Sequence, residues 1–376
     1  MSLYFTQPEL TKLRHAHRQH PHLAPSLSDF VTHDHQPAPW SRLQSKRDYS
    51  PATPPRVLAL ENLKLLSLNC GGFGIDSNRF RVDKEYQEAC FAKLVEHVKT
   101  HNFALVHLQD YPYTSEYLER LSEATGYALR AIPQIFLTHA RPDSQDSGLV
   151  VLAHPSLQTS RWSYRYHETN VPKVRAYQPS LGDSEMLFLN GTLSYTLDFA
   201  GTPYRLANTY VCPVSTARRR RVVFAAEAEE ARDYPRYLLT GDTNIYGTNT
   251  LARVGGVLPA NPYAFALNAA SILLFGRNYP HLLERRRLAR TLGRQGLRLA
   301  NNAKESSISF ALREFVPETF RFLVGKRRVG WLLDLAITNL EALECTLDAE
   351  PYGDIDHASL HINLSKFDKA DEETYS

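Results

Sequence analysis

The sequence predicts a domain of the α+β class, in which strands and helices first alternate and strands then follow one another closely. The apolar runs at 63–69 and 103–110 have the length of buried strands. Between them, apolar residues recur with the period of a helix over 82–100. From 148 to 211, short apolar segments are separated by turn residues, which is typical of consecutive strands.

The remaining elements follow from the same two periods and from turn residues. Gly126 is expected to end a helix, and Ala200 to Pro203 is expected to form a hairpin loop. The other predicted helices cover 115–125, 217–232 and 281–299, and the other predicted strands cover 148–153, 186–199, 204–211, 237–246 with its terminal turn, 331–337 and 358–364.

Length and composition indicate one large domain with less regular ends. The chain has 376 residues, of which 43% are hydrophobic and 22% are charged, so most of it is expected to fold. Residues 1–60 contain clustered prolines and irregularly spaced histidines, which predicts a loosely ordered extension. The domain is expected over 61–366, with a mostly helical insertion at 247–325 and a charged tail at 367–376.

Several classes of protein are disfavoured by composition. The four cysteines lie far apart without a C-x-x-C pair, which argues against a structural zinc or a disulfide framework and fits a reducing compartment. The sequence contains no apolar run of membrane-spanning length, and its start lacks the apolar core of a secretory signal. An intracellular, cytoplasmic monomer is therefore expected. The net charge of +3 supplies no global field, so any basic surface for nucleic acid must be local.

Polar side chains stand where several predicted strands end, which is where sheets of this kind usually place their chemistry. In the Gly-Asp-Thr-Asn turn, Asp242 and Asn244 are two residues apart, so an extended backbone directs both side chains to one side. Similar positions are held by Asn69, Asp110, Asn208 with Tyr210, and Asp356 with His357, while Asp334 lies in an otherwise apolar segment. Such oxygen-rich ligands, without cysteine or clustered histidine, favour magnesium or manganese.

Each of these residues also has a purely structural explanation. Asn69 is suited to capping a turn, Asp334 to being a hydrogen-bonded core carboxylate, and His357 to being one exposed histidine among fifteen. It is the order of the motifs along the chain that favours a functional explanation.

That order resembles the endonuclease/exonuclease/phosphatase superfamily, to which DNase I belongs. The resemblance covers residues 62–366 and rests on Ser-Leu-Asn69, Leu-Gln-Asp110, Asn208-x-Tyr210, Gly-Asp242-x-Asn244, Leu-Asp334-Leu and Asp356-His357. It implies a four-layer α/β/β/α sandwich of two packed mixed sheets, with the site at one edge of the sheets. It also implies a divalent-metal-dependent hydrolase of phosphoric esters.

The resemblance implies a role for each matched residue. Asp110 and Asn69 would hold Mg²⁺ or Mn²⁺, with Asp356 close by. Asp242 would orient or deprotonate the attacking water, and Asn244 and Asn208 would grip the phosphate. His357 would stabilise charge on the phosphoryl oxygens, held in place by Asp334, and Tyr210 matches a tyrosine of the apurinic endonucleases. The sequence departs from the family at Asp110, where glutamate is usual, at Ile355, where serine is usual, and at Cys212.

Nucleic acid is the favoured substrate, with a small or lipid phosphoester and a catalytically inactive binding protein as the alternatives. The basic residues proposed to contact phosphates are Arg218, Arg286, Arg290 and Arg294. Their structural explanation is a solvated helix face, which is the usual role of charged runs.

Overall fold

The computed structural model describes most of the predicted domain. The described residues are 47–52, 63–71, 84–137, 147–166, 173–175, 185–188, 191–199, 201–211, 217–243, 270–271, 273–274, 279–301, 310–311, 328–329, 333–341, 343–348 and 357–364.

Four helices have well-defined apolar faces or caps. Helix α2 begins after Thr114, whose side-chain oxygen accepts a hydrogen bond from the Tyr117 N–H, and it ends at Gly126 in the left-handed conformation (φ 74°). The predicted stop at Gly126 is thus confirmed. In the described residues the helices of more than ten residues are α1 (Lys84–His101), α2 (Ser115–Thr125), α3 (Ala217–Arg232) and α4 (Tyr279–Gly293).

The strands of the described residues are two to ten residues long. In chain order they are β1 (Arg47–Tyr49), β2 (Lys64–Asn69), β3 (Leu105–Pro112), β4 (Ala128–Leu137), β5 (Ser147–Ala153), β6 (Gln158–Tyr166), β7 (Lys173–Arg175), β8 (Glu185–Phe188), β9 (Gly191–Phe199), β10 (Thr202–Tyr210), β11 (Tyr237–Asp242), β12 (Arg298–Leu299), β13 (Phe310–Ala311), β14 (Arg328–Val329), β15 (Asp334–Thr338), β16 (Glu344–Asp348) and β17 (Ser359–Asn363).

Within the described ranges the strands form two large mixed sheets and a separate two-stranded sheet of β13 and β14. The first sheet has the order β16-β17-β2-β3-β5-β4-β8-β7, with β1 also paired to β4, and the second has the order β12-β15-β11-β10-β9-β6. In the first sheet β2 and β3 are parallel and are connected through α1; in the second, β10 and β11 are parallel and are connected through α3. Both crossovers leave the carboxyl ends of their strands at one edge of a sheet.

Three apolar clusters define four layers. One cluster lies between the sheets, with Leu65 and Leu105 from the first and Leu206 and Leu238 from the second. A second cluster packs α1 and α2 on the outer face of the first sheet. A third packs α3 and α4 on the outer face of the second. This arrangement confirms the predicted four-layer α/β/β/α sandwich.

Buried charges fix α3 to the second sheet. Glu230 accepts hydrogen bonds from Arg205 Nε (2.7 Å) and Arg165 Nη2 (2.5 Å), and all three side chains are almost fully buried. Glu227 accepts a hydrogen bond from Tyr237 Oη (2.5 Å) in the same layer. Because these charges are paired and hydrogen-bonded, the cost of their desolvation is offset.

Several predicted boundaries were wrong. The single strand predicted over 186–199 is two strands, β8 and β9, which belong to different sheets. The helix predicted to 299 ends at Gly293, and Arg298 lies in β12. Glycine favours this stop because Gly296 adopts a φ of 74° in the turn that follows.

Strands β4 and β6 were missed altogether. They contain arginine, glutamine and serine among their apolar residues, so their alternation is weak. Asp334 was expected inside its strand but is the first residue of β15, which places it at the sheet edge. None of the helices in the described ranges has the length and apolarity needed to cross a membrane.

Candidate active site

The polar strand ends converge on one edge of the sandwich. Asn69 is the last residue of β2, and Asp242 is the last residue of β11. Asp334 pairs directly with Asp242 across the antiparallel β11–β15 ladder, and His357 lies just before β17, which is antiparallel to β2. The parallel crossovers and these two antiparallel neighbours therefore bring residues separated by as many as 288 positions together.

A chain of hydrogen bonds links these four side chains. Asn69 Nδ2 donates to Asp242 Oδ2 (2.8 Å) and lies 3.4 Å from His357 Nε2. His357 Nδ1 lies 2.8 Å from Asp334 Oδ2. All four residues are buried. The first sheet supplies Asn69 and His357 and the second supplies both aspartates, so the site depends on the packing of the two sheets.

The hydrogen-bond partners assign the orientation of the Asn69 amide and the His357 ring. Asn69 Oδ1 accepts a hydrogen bond from the Gly71 N–H (2.9 Å), which turns Nδ2 toward Asp242. The Asp334 carboxylate is an acceptor, so His357 Nδ1 carries a proton and Nε2 faces the shared space.

Gly241 allows β11 to approach β10 closely just before Asp242. Its φ is +143°, and a Cβ atom at this position would lie 1.9 Å from the Thr209 carbonyl oxygen. Since that contact is with backbone, no side-chain movement relieves it. The glycine of the Gly-Asp-Thr-Asn turn is thus required by the sheet that carries Asp242.

A β-bulge positions Asp110. Pairing between β3 and β5 shifts register between Leu108 and Tyr111, and Asp110 has a φ of 49°. Such a bulge redirects a side chain at the edge of a sheet. The Cys70 N–H donates to the Gln109 carbonyl oxygen (2.8 Å), which places Asp110 near the end of β2. Burial raises the pKa of the Cys70 thiol, and the negative charge of Asp110 raises it further.

Asn208 joins the two sheets beside this bulge. Its Nδ2 donates to the carbonyl oxygens of Leu108 (2.9 Å) and Val150 (3.0 Å), and its Oδ1 accepts from Gln109 Nε2 (2.6 Å). Asn208 is fully buried, and these bonds satisfy carbonyl groups where the β3–β5 ladder is interrupted. Tyr210, two residues later, is buried and pairs with Asp242 in the parallel β10–β11 register.

A polar layer that the sequence did not predict lies between the sheets, beneath the site. His107 Nδ1 lies 2.7 Å from Thr240 Oγ1 of the opposite sheet, and its Nε2 lies 2.9 Å from Tyr195 Oη. Burial lowers the pKa of His107 to about 3, so its ring is neutral near pH 7. The available signal was His107 itself, a polar residue at an inward position of an otherwise apolar strand.

Gln134 and Ser147 were also missed. Gln134 Oε1 accepts a long hydrogen bond from the Asp110 N–H (3.4 Å) at a register shift in β4. Gln134 Nε2 and Ser147 Oγ are buried and have no hydrogen-bond partner among the described residues. Buried polar groups of this kind are usually satisfied by water or a ligand.

The donor chemistry of this edge fits a hard divalent cation. Asp110 is only partly buried, so its carboxylate is not sealed in the core. Asn69 Oδ1 has a second lone pair beyond the one used by Gly71. Carboxylate and amide oxygens are the ligands that magnesium and manganese prefer.

Some predicted site residues are not brought to this edge, and others lie outside the described residues. Asn244, Asp356 and the side chain of Arg218 belong to the second group. Arg286, Arg290 and Arg294 are exposed on the outer layer. Arg298, which follows them in the chain, pairs with Thr338. Thr338 is the last residue of β15 and Asp334 is its first, so Arg294 lies toward the end of the sandwich that is away from the polar strand ends.

Comparison with known proteins gives similarities of fold. No protein-family model matches the chain, and no curated protein matches it. An endonuclease/exonuclease/phosphatase from Bacteroides vulgatus is 9% identical, with a TM-score of 0.47, covering 80% of this chain and 98% of that one. The endonuclease domain of TRAS1, a telomere-specific non-LTR retrotransposon, is 14% identical, with a TM-score of 0.40, covering 80% and 97%. D. rerio TDP2, in complex with a single-strand DNA product, is 11% identical, with a TM-score of 0.43, covering 80% and 98%. These are likenesses of fold alone.

Proposed function

We propose that this protein is a divalent-metal-dependent phosphodiesterase whose substrate is nucleic acid. The observation that carries the proposal is the continuous chain Asp242–Asn69–His357–Asp334, built from three strands and from the residue just before β17, at one edge of both sheets. Phosphoryl transfer needs positioning and neutralisation of charge more than covalent chemistry, and this edge supplies the groups for both.

Asp242 is assigned to the attacking water. Asn69 donates to one carboxylate oxygen, which fixes the orientation of the carboxylate without neutralising it. A carboxylate held in this way orients a water molecule and accepts its proton as the new P–O bond forms. Asn69 is therefore a positioning residue for Asp242 as well as a candidate ligand.

His357 is assigned to the charge that develops on the phosphoryl oxygens. Asp334 holds Nδ1–H and leaves Nε2 directed into the site. When Nε2 carries a proton, the imidazolium donates a hydrogen bond to a phosphoryl oxygen, and Asp334 stabilises the positive ring.

Asp110 and Asn69, with Asp356, would hold the divalent cation. When bound, that cation neutralises phosphate charge and polarises the scissile P–O bond. We assign Asn208 as a positioning residue and not as a residue that contacts phosphate, because its amide supports the bulge that places Asp110. Direct contact of Asn244 with phosphate stays a prediction.

The assignment to nucleic acid rests on the motif order and on the exposed arginines of α4. Because Arg294 lies toward the far end of the sandwich, we expect these residues to contribute to binding and not to the chemical step. A phosphatase or phospholipase acting on a small or lipid substrate is the second candidate, favoured by the local character of the polar edge and the small net charge.

The direct test is hydrolysis by the full chain with Mg²⁺ or Mn²⁺, using plasmid DNA, abasic duplex, RNA, bis-p-nitrophenyl phosphate and a phosphoinositide. We expect turnover of nucleic acid that stops with EDTA. The His357→Ala variant should lose roughly 10²-fold in kcat or more. Asp233→Asn is the matched surface control, since Asp233 is an exposed residue after α3. Full activity after chelation, or of His357→Ala, would refute the proposal.

The role of the arginines is tested by the salt dependence of DNA binding. Replacing Arg286, Arg290 and Arg294 by glutamine should flatten the slope of log K against log[salt] by roughly two to three units. The control replaces Lys93, Lys99 and Arg232, which are exposed on other helices, and should leave the slope unchanged. Equal slopes for both triple variants would show that the α4 arginines are a solvated face.

A further inference from the structure

We propose a second metal site, for Zn²⁺, on the outer face of the first sheet, formed by His97, Asp348 and His361. The three side chains come from α1, β16 and β17, and their ligand atoms all lie within 4.8 Å of one another. No motif in the sequence suggests this site, because the first and last of the three are 264 residues apart.

The geometry matches a tetrahedral zinc. His97 Nε2 and His361 Nε2 are 3.2 Å apart. Two nitrogen ligands at about 2.0–2.1 Å from one tetrahedral ion are separated by roughly 3.3–3.4 Å. Asp348 Oδ2 lies 4.0 Å from His361 Nε2, and its side chain is 32% exposed, so rotation brings the carboxylate to the ion.

The ligands sit on a supported base. His97 stacks on Phe103 at 5.5 Å, and His361 contacts the edge of the same ring at 4.8 Å. His101 packs against His97 at 4.3 Å. Ser359 Oγ lies 3.0 Å from His361 Nε2, the atom that would bind the ion, so the ion would replace this contact. The nearby cation, Lys64 Nζ, is turned to the His101 carbonyl oxygen (3.5 Å). With two protein nitrogens and one oxygen, the fourth ligand is water, because the cluster is partly exposed.

The state of the rings suits metal binding. Zinc binds the neutral imidazole, and burial together with the neighbouring histidines lowers the pKa of His97 to about 4. Burial also lowers the pKa of His361. Few protons therefore have to be released at neutral pH.

This site is separate from the catalytic edge. His361 follows His357 by four residues, roughly 13 Å along a strand. Its neighbours Leu360 and Ile362 face the space between the sheets, so His361 faces outward. The two imidazoles also select a different ion, since the catalytic edge offers mainly oxygen ligands. A bound ion would tie α1 to the edge hairpin β16–β17, whose second strand begins beside His357.

Calorimetric titration of the chelator-stripped full chain with Zn²⁺ tests the inference. The wild type should bind one more equivalent of Zn²⁺ than the His361→Gln variant does. If both bind that equivalent, the wild type should bind it at least about tenfold more tightly. Asp348→Asn should also weaken binding, and its partly exposed position makes it the variant least disturbing to folding. The N-terminal histidines are present in every variant, so any zinc that they bind cancels in the difference.

Asp110→Asn is the control for the catalytic edge, and thermal unfolding is the second readout. Zn²⁺ should raise the Tm of the wild type and of Asp110→Asn, but not that of His361→Gln or Asp348→Asn. If Asp110→Asn abolishes the zinc isotherm while His361→Gln and Asp348→Asn retain it, the ion binds at the catalytic edge and the inference is overturned. That outcome leaves the proposed phosphodiesterase standing, and failure of the hydrolysis test leaves this site standing.

Discussion

The space between the two sheets has an apolar end and a polar end, built from the same strands. The apolar end contains Leu65, Leu105, Leu206 and Leu238. The polar end contains Asn69, Asp242, Asp334 and His357. On β2 and β11 the two ends are only four residues apart. Since every second side chain of a strand points to the same face, the inward-facing residues of each strand pass from the apolar end to the polar end.

A layer of polar bridges lies between the two ends. Ser67, His107, Asn208 and Thr240 occupy the intermediate inward positions and bond across or along the sheets. Stability and chemistry are therefore separated along the strands. Apolar burial fixes the sheets, and the hydrogen-bonded layer sets their register near the site. Changes at the two ends should therefore have different effects.

The largest effect is expected from a change that disturbs both the apolar end and the polar end, and so lowers both stability and activity. In Gly241→Ala, the new Cβ would overlap the Thr209 carbonyl group and push β11 away from β10. We expect a loss of at least about 4 kcal/mol in the free energy of unfolding, together with the loss of activity. Urea denaturation measures the first. Gly293→Ala is the control, since nothing lies within 4 Å of its added Cβ, and a wild-type unfolding midpoint for Gly241→Ala would contradict the structure.

Next in size is a change confined to the apolar end. Leu238→Ala leaves a cavity between the sheets and should lower the free energy of unfolding by about 2–5 kcal/mol. The kcat of the folded fraction should stay near the wild-type value, because no group at the polar end changes. Leu283→Ala, at a leucine that is 51% exposed, should be nearly neutral. A selective loss of kcat in Leu238→Ala would show that the two ends are not separable.

A change confined to the polar end should have the opposite pattern, with a loss of kcat and little loss of stability. Asp242→Asn keeps the size of the side chain and an acceptor for Asn69, but it removes the base. We expect kcat to fall by about 10², or about 2.7 kcal/mol in activation free energy, with little change in stability. Steady-state kinetics and urea denaturation of one preparation measure both. Wild-type kcat would remove Asp242 from the proposed mechanism.

The smallest effect concerns the intermediate layer. The folded-state pKa of His107, about 3, lies below its usual value of 6.5, so the unfolded chain binds the proton more tightly. Stability contributed by this group is complete above pH 6.5 and is lost as the pH falls toward 3, by at most about 1.4 kcal/mol per pH unit. His107→Gln should flatten the dependence of stability between pH 7.5 and 5. For each protein the free energy of unfolding is compared between the two pH values. If the change with pH is the same in the wild type and in His107→Gln, His107 is not the titrating group.

Local sequence determined much of this protein. The helix at 84–101, the stop at Gly126 and the strands that end in Asn69 and Asp242 follow from apolar period, glycine chemistry and turn residues. Of the side chains found together at the polar end, Asn69, Asp242 and His357 were named from their positions at strand ends, and Asp334 was named as a carboxylate in an otherwise apolar segment. Such signals are readable because they depend on neighbours within a few residues.

The other features depend on contacts between residues that are distant in sequence. The division of 186–199 between two sheets, the bulge that orients Asp110 and the bridge made by Asn208 depend on partners about 25 to 100 residues away. The same holds for the outward cluster of His97, Asp348 and His361. These features arise from sheet pairing and packing, and a one-dimensional pattern does not record which strands become neighbours.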